Sequence, residues 1–523
     1  MARRRASGQR LLLADNTDRT TGRDARSMNV TAARAIAEAV RTTLGPKGMD
    51  KMLIDDSGGV VVTNDGVTIL SEMDIDHPGA NMIVEVAETQ EDEVGDGTTS
   101  AVVLTGELLK KANELIEQDI HPTTVANGYR RATEQAHEIL DDIAIDVDAD
   151  DRDTLEQIAI TVMTGKSAED AREYLAEIIV EAVRSVQDDG RVDLDNVDIT
   201  PVVGRPIEES ELVDGVVIEE EPVHPQMPTS VDDATVGVLA SGIEVEEPEI
   251  DAEIAVDDPA ALREFQDAET DSLRERAQAI ADAGIDVLFA GDDIEDVAAE
   301  ALSNAGIIAV EDVDDSDLSR IARSTGARVA TTVHEFNDDI LGAAGSVSWD
   351  TLDDDDVLIV SDVAEGAVST IILHAGTQGA LDEVERALVD SLHAVRVALE
   401  SGQVVAGGGA AETALALALR DYADSVGGRE QLAVEAYADA LEVIPRTLAE
   451  NAGLDPIDAL VELRARHSND EGTSGLDAIS GDVIDMWEEG VVEPTDVKRQ
   501  AVGSATEAAV MILRIDDVIS ASG

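Results

Sequence analysis

The 523-residue chain contains no cysteine. A disulfide framework, a thiolate nucleophile and a cysteine-ligated zinc are therefore excluded. Its eight histidines form neither an HExxH pair nor a close cluster. The sequence thus gives no support for a metal-dependent hydrolase or for a Ser-His-Asp hydrolase.

Positive charge is scarce, since 37 Lys and Arg face 113 Asp and Glu and the net charge is −76. Nucleic acid and anionic membrane surfaces are unsuited partners because both need basic residues to bind. The negative charges of so acidic a compact chain repel one another. At 1 M salt the screening length falls to about 3 Å, which suppresses most of that repulsion, so we expect a salt-rich cytoplasm. Lysine is rarest of all, and the lysines are Lys47, Lys51, Lys110, Lys111, Lys166 and Lys498.

Long apolar runs are missing as well. The arginines at Arg3–Arg5 are followed only by Leu11–Ala14, which is too short for the core of an export signal. No run is long enough to span a membrane. We expect a cytoplasmic protein of about three domains, at roughly 150 residues per domain.

A glycine-rich stretch, Asp92–Leu104, is the strongest signal of a binding site. Gly95 and Gly97 bracket Asp96, and Thr98–Ser100 then open an apolar run that predicts a buried helix. Amide groups at a helix N-terminus bind phosphate, and glycines let the backbone approach a ligand. A carboxylate among phosphates requires a divalent cation, so Asp96 indicates Mg2+. The alternative interpretation is an ordinary helix cap.

The chain before this stretch predicts a helix, a loop and a hairpin. Helical spacing of apolar residues begins at Met28 and ends at Gly45-Pro46. Val60–Val62 and Val67–Leu70 predict two strands, and Asn64-Asp65-Gly66 predicts the turn that joins them. By this pattern Asp65 is a turn residue.

Residues 217–373 change character, because short β-rich runs alternate with helical ones and predict an α/β domain. The predicted strands are Val236–Ala240, Asp286–Gly291, Ile307–Val310, Arg328–Thr332, Val357–Val360 and Val368–Leu373, with a helix at Asp292–Asn304. In Ile250–Ile280, apolar residues lie at helical spacing among acidic ones. That stretch predicts an amphipathic projection rather than a core element.

Helical patterns return after residue 380. In Leu381–Glu400 the apolar residues form one face, which places Asp390 on the opposite, polar side. The simplest interpretation of this position is a carboxylate on a solvated face. Gly407–Gly409 then open another helix and let a ligand approach the backbone. Candidate ligand residues thus lie at 45–100, at Lys166 in a small-residue loop, and at 390–493. A single site requires both chain ends to fold together around an inserted α/β part.

Several of these segments together resemble one family. They are Leu44–Leu53, Val62–Leu70, Glu93–Thr99 and Gly407–Gly409, and the similarity continues through Ile444–Gly453 and Val491–Pro494. In order and spacing they are similar to the group II chaperonins of archaea, the thermosome type, over essentially the whole chain. The acidic composition points to a haloarchaeal member.

The resemblance implies a multi-domain α+β fold and an ATP-dependent chaperone. Residues 1–150 and 405–523 would form a mostly helical equatorial domain that binds ATP, and 151–216 with 374–404 a small intermediate domain. Residues 217–373 would form an α/β apical domain with a helical protrusion that acts as a lid. Such subunits form two stacked rings, so the implied partners are unfolded client proteins and identical or paralogous subunits.

The resemblance also implies roles for individual residues. The implied cofactors are ATP and Mg2+, with K+ as a further candidate and Asp96 as the metal ligand. Asp65 and Asp390 would position or activate the attacking water, in a reaction that depends on positioning more than on a strong base. Lys166 would sense the γ-phosphate, and Gly407, Gly408 and Glu493 would hold the adenosine end. The complete implied nucleotide-binding set is Leu44, Gly45, Pro46, Gly97, Thr98, Thr99, Ser100, Lys166, Gly407, Gly408 and Glu493.

The middle of the chain departs from the family pattern. From 220 to 350, positions that are basic in relatives are acidic or neutral here, and the protrusion at Glu244–Asp271 is negative apart from Arg263. This divergence leaves open a second hypothesis, a regulatory or scaffold ring subunit whose own ATPase or client binding has drifted. A third hypothesis, a monomeric nucleotide-binding enzyme, requires the order of the motifs to be a coincidence.

Overall fold

The structure is a computed structural model that describes residues 17–54, 58–166, 171–188, 190–245, 259–352, 355–363 and 368–521. The chain divides into two compact units, one formed by Met1–Ala176 with Arg386–Gly523 and the other by Glu177–Glu385. The first unit is mainly helical, and the second is built on β-sheets with helices. The predicted fold class, a multi-domain α+β chain with a mostly helical part and an inserted α/β part, is confirmed. The boundaries of three separate domains stay a prediction.

Helices make up most of the first unit and part of the second. They are α1 (Arg23–Arg41), α2 (Gly66–Ser71), α3 (Pro78–Val94), α4 (Thr98–Glu117), α5 (Pro122–Ile143), α6 (Arg152–Met163), α7 (Arg172–Ser185), α8 (Pro259–Asp282), α9 (Asp296–Ala305), α10 (Asp315–Thr325), α11 (Gln378–Ser401), α12 (Ala410–Ala423), α13 (Glu430–Leu441), α14 (Val443–Asn451), α15 (Pro456–His467) and α16 (Thr495–Arg514). None of the described helices combines the length and the apolar character needed to cross a membrane.

The strands form several separate sheets. They are β1 (Thr17–Thr21), β2 (Lys51–Ile54), β3 (Val60–Thr63), β4 (Ile145–Asp146), β5 (Gln187–Asp188), β6 (Arg191–Val192), β7 (Val197–Val203), β8 (Glu211–Val213), β9 (Gly215–Ile218), β10 (Ser230–Leu239), β11 (Val287–Ala290), β12 (Ile308–Val310), β13 (Gly342–Leu352), β14 (Asp355–Ser361), β15 (Ser369–Ala375), β16 (Gln403–Ala406), β17 (Ser474–Leu476), β18 (Val483–Asp485), β19 (Val492–Pro494) and β20 (Asp517–Ala521).

The core of the first unit is a helical bundle with α4 at its centre. This helix packs against α1, α3, α13 and α16. It is buried on nearly every side, as the run Ala101–Leu109 shows, because its residues are almost all apolar or small. The predicted buried helix after the glycine-rich stretch is therefore confirmed.

Two tyrosines tie the N-terminal and C-terminal parts of this bundle together. The rings of Tyr129 in α5 and Tyr437 in α13 meet edge to face, with centroids 5.4 Å apart. The hydroxyl of Tyr129 donates to the carbonyl oxygen of Leu108 at 2.8 Å. The hydroxyl of Tyr437 lies 2.8 Å from Thr506 Oγ1 and accepts from Thr133 Oγ1 at 3.1 Å. Both rings are thus buried with their polar atoms hydrogen-bonded.

The second unit contains a six-stranded sheet in the order β12-β11-β10-β13-β14-β9. The strands β10, β11 and β12 are parallel, and the other pairings are antiparallel. Side chains of β11 alternate between two apolar clusters, with Val287 and Phe289 in one and Leu288 and Ala290 in the other. Because both faces of the sheet are covered, this strand is continuously apolar, as the sequence pattern predicted.

The predicted strand at Val67–Leu70 is wrong. These residues belong to α2, and β3 instead pairs antiparallel with β2, which precedes it. Asp65 is the N-cap of α2, because its side chain accepts a hydrogen bond from the amide of Thr68. A polar cap before apolar residues and a hairpin turn have the same local pattern, so the sequence did not separate them.

Two predictions for the second unit also fail. Arg328–Thr332 is not a strand, since only Ala330 forms a bridge, to Leu239, before the chain turns into a short 3-10 helix. The C-terminal half of α8 is a core element rather than a projection, because Leu273 and Ile280 are buried. Residues 246–258 of the predicted protrusion lie outside the described residues.

Candidate active site

A cavity of about 460 Å³ in the first unit is lined by residues from both ends of the chain. Such a volume lies within the usual range for small-molecule sites. Most of the candidate site residues line it, namely Leu44, Gly45, Pro46, Asp65, Asp96, Gly97, Thr98, Thr99, Ser100, Lys166, Asp390, Gly408 and Glu493. Gly407 does not line the cavity but lies directly against the side chain of Glu493.

The backbone between α3 and α4 turns sharply at two glycines. Gly95 has φ +68° and Gly97 has φ +78°, both in the left-handed region that glycine adopts without steric cost. Because α4 begins at Thr98, the amides of Thr98, Thr99 and Ser100 have no acceptor within the helix. These residues line the cavity, where the helix dipole favours an anion.

A buried glutamine holds this turn in place. Gln90 of α3 donates through Nε2 to the carbonyl oxygens of Asp96, at 2.8 Å, and Val497, at 3.2 Å. A Cβ on Gly97 would lie only 3.0 Å from Val497 Cγ1. The turn that contains Asp96 is therefore held between α3 and the first turn of α16. Motif spacing missed Gln90 because a single amide within a helix carries no motif.

Asp65 lies at the start of α2, beside the same turn. Its Oδ2 accepts a hydrogen bond from the amide of Thr68 at 2.7 Å, and its own amide donates to Thr63 Oγ1 at 3.1 Å. A Cβ on Gly66 would lie 2.5 Å from Thr99 Oγ1, so only glycine lets the starts of α2 and α4 approach this closely. Two helix N-termini therefore border one cavity.

Lys166 and Asp390 form an ion pair in the cavity wall. Asp390 is only 8% exposed, so the prediction that it lies on a solvated face is wrong. The helix α11 is buried on two faces, one in the core and one at the cavity, and apolar periodicity reveals only the first.

Burial and neighbouring charges shift the pKa values of both Lys166 and Asp390. Burial raises the pKa of Asp390 to about 6, against the opposing charge of Lys166 and with the added charge of Asp65. Burial acts to lower the pKa of Lys166, but Asp390 and Asp96 together raise it above its usual value. The lysine therefore stays protonated, and Asp390 is mainly ionised at neutral pH.

Glu91 is a further acidic residue of the cavity that motif spacing missed. Burial, followed by the charges of Asp390, Asp65 and Asp96, raises its pKa to about 9, and Lys166 opposes that rise. It stands in an unbroken acidic run, Glu91–Glu93, so the sequence gives no sign of which carboxylate faces inward.

The loop after α1 contributes another part of the cavity wall. The side-chain amide of Asn451 donates to the carbonyl oxygen of Leu44 at 2.9 Å and fixes the loop to the end of α14. A Cβ on Gly165 would lie 2.6 Å from Pro46 Cα. The loop that carries Pro46 and the loop that carries Lys166 are therefore in direct contact. The helix α1 itself ends at Arg41, earlier than predicted.

The remaining part of the cavity is lined by Lys498 and Glu493, and Glu412 lies behind them in contact with the lysine. Lys498 Nζ lies 2.5 Å from Glu493 Oε2 and 2.9 Å from Glu412 Oε1. Burial raises the pKa of Glu493, with Lys498 opposing the rise and Glu412 adding to it. Motif spacing did not identify Lys498 or Glu412 as residues of the site. The scarcity of lysine in this chain was the one sequence feature that pointed to Lys498. Apolar side chains complete this part of the wall, namely Leu476, Ala478, Ile479, Met486 and Val491.

The donor atoms of the cavity fit Mg2+. Asp65, Glu91, Asp96 and Asp390 supply hard carboxylate oxygens, the ligand type that this ion prefers. Within the described residues, no three acidic or histidine side chains are grouped closely enough to hold a metal ion by themselves. A common Mg2+ site uses one or two carboxylates together with phosphate oxygens and water. Asp96, next to the helix N-terminus, suits such a shared site.

Comparison with known proteins adds an independent finding. The profile of the TCP-1/cpn60 chaperonin family matches residues 36–522. The chain is 58% identical over 521 residues to thermosome subunit alpha of Halobacterium salinarum, an alignment that covers 100% of this chain and 93% of that protein. It is 57% identical over 522 residues to thermosome subunit 1 of Haloferax volcanii, with the same coverage. Identity to the thermosome subunit of Methanopyrus kandleri is 54% over 517 residues, covering 98% and 95% of the two chains.

Proposed function

Because the chain belongs to the TCP-1/cpn60 chaperonin family, we propose that it is a subunit of an ATP-dependent, double-ring chaperone that encloses unfolded proteins while they fold. The resemblance to haloarchaeal thermosome subunits is confirmed by the two haloarchaeal relatives. The observation that carries the proposal is the cavity of the first unit, where a helix N-terminus, carboxylates and lysines from both chain ends meet.

The start of α4 is the proposed phosphate site. The amides of Thr98, Thr99 and Ser100 would donate to phosphate oxygens, and the hydroxyl groups of the same residues add further donors. Asp96 would hold Mg2+ jointly with the phosphates. The ion would neutralise negative charge on the phosphates during transfer.

Asp390 and Asp65 are the proposed orienting groups for the attacking water. Asp390 has a pKa of about 6, so at neutral pH it is mainly ionised and accepts a hydrogen bond or a proton. Lys166 holds that carboxylate by the ion pair and would attract the γ-phosphate. Phosphoryl transfer depends on positioning and on charge stabilisation, so these three side chains with Asp96 are a sufficient set.

The adenosine end would lie beside Gly407, Gly408 and Glu493. A Cβ on Gly408 would lie 2.7 Å from Met486 Cε, and one on Gly407 would lie 2.9 Å from Val491 Cγ1, so the two glycines let the cavity wall pack tightly here. Glu493 offers a hydrogen-bond acceptor. The apolar wall that includes Ile479 and Met486 suits a planar base.

An exposed hairpin supports assembly with other subunits. Within the described residues, β2 and β3 pair only with each other, and Met52, Ile54, Val60 and Val62 are 45% to 68% exposed. A two-stranded hairpin is marginally stable in water, and its open edges can pair with another chain. We therefore expect identical or paralogous subunits to cover it. Two relatives of Archaeoglobus fulgidus, each 52% identical to this chain, are named thermosome subunits alpha and beta.

The second unit is the candidate for client binding, because the nucleotide cavity lies within the first unit. The acidic composition suits a salt-rich cytoplasm, where K+ is a further candidate cation. Unfolded proteins are the expected clients.

Asp390→Asn in the assembled protein tests the ATPase assignment. In molar KCl, we expect ATP hydrolysis to fall by roughly 100-fold or more, since proton transfer and water orientation contribute about that much. Nucleotide binding should persist because the proposed phosphate and adenosine contacts remain. Phosphate release measures the first effect, and equilibrium binding of a fluorescent ATP analogue measures the second.

Asp382→Asn is the matched control, because Asp382 lies on the same helix and accepts a hydrogen bond from Gln378 at 2.6 Å. This variant should keep wild-type turnover. Normal turnover by Asp390→Asn would remove Asp390 from its role. Refolding of a denatured enzyme by the pure homo-oligomer separates an active chaperone from a regulatory subunit, which would bind ATP without refolding a client.

A further inference from the structure

Two glutamates and a lysine form a buried cluster at the adenosine end of the cavity. Lys498 is 7% exposed and Glu412 is 5% exposed, and the ammonium group of Lys498 bridges Glu412 Oε1 and Glu493 Oε2. The three side chains come from α16, α12 and β19. The cluster therefore joins three elements at the edge of the proposed nucleotide site.

The ion pair gives the two carboxylate oxygens of Glu493 different surroundings. Oε2 is engaged by Lys498. Oε1 lies next to the backbone of Gly407, where a Cβ would be only 3.1 Å from it. Because Glu493 also lines the main cavity, fixing Oε2 fixes the direction in which the carboxylate presents Oε1.

The same cluster borders the phosphate turn. Gly97 and Ser100 line a second, small cavity together with Glu412 and Lys498. Lys498 thus lies between Glu493 and the start of α4. In a nucleotide the sugar lies between the phosphates and the base. A nucleotide with its phosphates at the start of α4 would therefore place its sugar near Glu493.

We propose that Lys498, held in place by Glu412, is a positioning residue that aims the carboxylate of Glu493 at the ribose hydroxyl groups of the bound nucleotide. The inference rests on the proposed function, since it takes the cavity to be an ATP site. An ionised carboxylate only accepts hydrogen bonds, and the 2′ and 3′ hydroxyl groups of ribose are donors. Lys498 therefore sets the preference of the site for ribose over deoxyribose.

Burial raises the pKa of Glu493, and the charge of Lys498 opposes that rise, so Lys498 favours the ionised carboxylate. Burial acts to lower the pKa of Lys498, but Glu412 and Glu493 raise it above its usual value, so the ammonium group stays charged. Within the described residues, Glu412 Oε2 has no hydrogen-bond partner. Loss of Lys498 would leave two buried carboxylates facing each other without a cation, and Glu493 would turn away or take up a proton.

Lys498→Met tests the proposal, because it keeps an unbranched side chain only one atom shorter and removes the charge. We would measure the dissociation constants of ATP, 2′-deoxy-ATP and 3′-deoxy-ATP for the assembled protein in molar KCl. The wild type should bind ATP roughly tenfold more tightly than at least one deoxy analogue, as expected for one hydrogen bond to a charged acceptor. In Lys498→Met that ratio should fall to about twofold or less, because nothing then holds the carboxylate of Glu493 in the orientation that accepts from the ribose.

Inosine triphosphate distinguishes the sugar from the base, since it lacks the 6-amino group of adenine. The wild type and Lys498→Met should show the same ratio of inosine triphosphate to ATP affinity. If Lys498→Met changes that ratio and leaves the deoxy ratios unaltered, Glu493 is aimed at the base and the proposal is overturned.

Two further variants guard against a purely structural effect. Lys498→Met combined with Glu412→Gln removes one charge of each sign, keeps the net charge of the cluster, and should also lose the ribose preference. Lys110→Met is the matched control, because Lys110 Nζ lies 2.9 Å from both oxygens of the buried Glu107, and Lys110 does not line the main cavity. It should keep the wild-type ratio.

The outcomes separate this inference from the proposed function. A folded Lys498→Met protein that still discriminates against the deoxy analogues as the wild type does overturns the inference and leaves the proposed function standing. A wild-type protein that does not bind ATP overturns the proposed function itself.

Discussion

The fold strongly alters the ionisation of Glu91. Its pKa rises from 4.5 to about 9, with burial as the largest cause. Between those two pH values the folded protein holds a proton that the unfolded chain has released. The contribution of this group to stability is therefore complete below pH 4.5 and is lost as the pH rises towards about 9.

Glu91→Gln should remove that pH dependence, because glutamine resembles the protonated acid. We expect the Tm of the nucleotide-free protein to rise little at pH 5 and clearly at pH 9. Thermal unfolding in molar KCl at both pH values measures the difference. Glu93→Gln, at an exposed neighbour on the same helix, should give equal changes at the two pH values. A Glu91→Gln protein with the wild-type pH dependence would contradict the prediction.

Asp390 should set the acidic limit of ATP hydrolysis. Its pKa is about 6, so turnover should fall below that pH as the carboxylate takes up a proton and no longer accepts one. Lys166→Met should move this limit to higher pH, because burial remains while the opposing positive charge is lost. Turnover measured from pH 5 to pH 9 gives both limits. An unchanged limit in Lys166→Met would mean that the ion pair does not control Asp390.

Elements with a complete local pattern were predictable from the sequence. The helix α4 is apolar on almost every side, and β11 is a short apolar run buried on two faces, so in both cases the pattern follows directly from burial. The helix α2 was missed because the choice between a hairpin and a capped helix depended on β2, a strand earlier in the chain. That partner precedes Val60, so the pattern of Val60–Leu70 alone did not reveal it.

The candidate site was predictable in its loops and less so in its helices. Gly95 to Ser100 and Gly407 to Gly409 form glycine motifs that stand out in the sequence, because glycine permits a backbone approach that other residues block. Glu91 and Glu412 are single acidic residues within helices of a very acidic chain. Their burial depends on the packing of other elements. In a chain with so many acidic residues, the sequence alone does not distinguish them from exposed ones. Asp390 shows the same limit, since apolar periodicity does not distinguish water from a cavity.

Tyr437→Phe should weaken the packing of α5, α13 and α16. The substitution removes the hydroxyl that joins Thr133 and Thr506 and keeps the ring. We expect the free energy of unfolding to fall by about 1 kcal/mol, the usual net contribution of a hydrogen bond. Denaturant unfolding in molar KCl measures it. Tyr422→Phe is the control, because within the described residues the hydroxyl of Tyr422 makes no hydrogen bond, and its loss should change little.

Across the whole molecule, the net charge of −76 should make stability depend on salt. The pKa of Glu220 is raised by partial burial and by the nearby charges of Asp312 and Asp314, so at neutral pH its ionised form opposes folding. Glu220→Gln should therefore raise the Tm, and more at 0.1 M than at 2 M KCl because salt screens the repulsion.

Glu335→Gln is the opposite case in the same unit. Hydrogen bonds from the amide and hydroxyl of Thr331 lower the pKa of Glu335, so its ionised form is favoured by the fold. This variant should lower the Tm at neutral pH. If both substitutions shift the Tm in the same direction, net charge rather than local surroundings governs the stability of this chain.

The central helix of the first unit has partners at opposite ends of the polypeptide. Helix α4 packs on α16, and β1 near the start pairs with β20 near the finish. A ribosome makes these parts in sequence, so the face of α4 that packs on α13 and α16 stays uncovered until those helices have been made. Lys498 of α16, made long after α4, also belongs to the cavity. A newborn copy of this chain therefore completes the proposed nucleotide site only after α16 has been made.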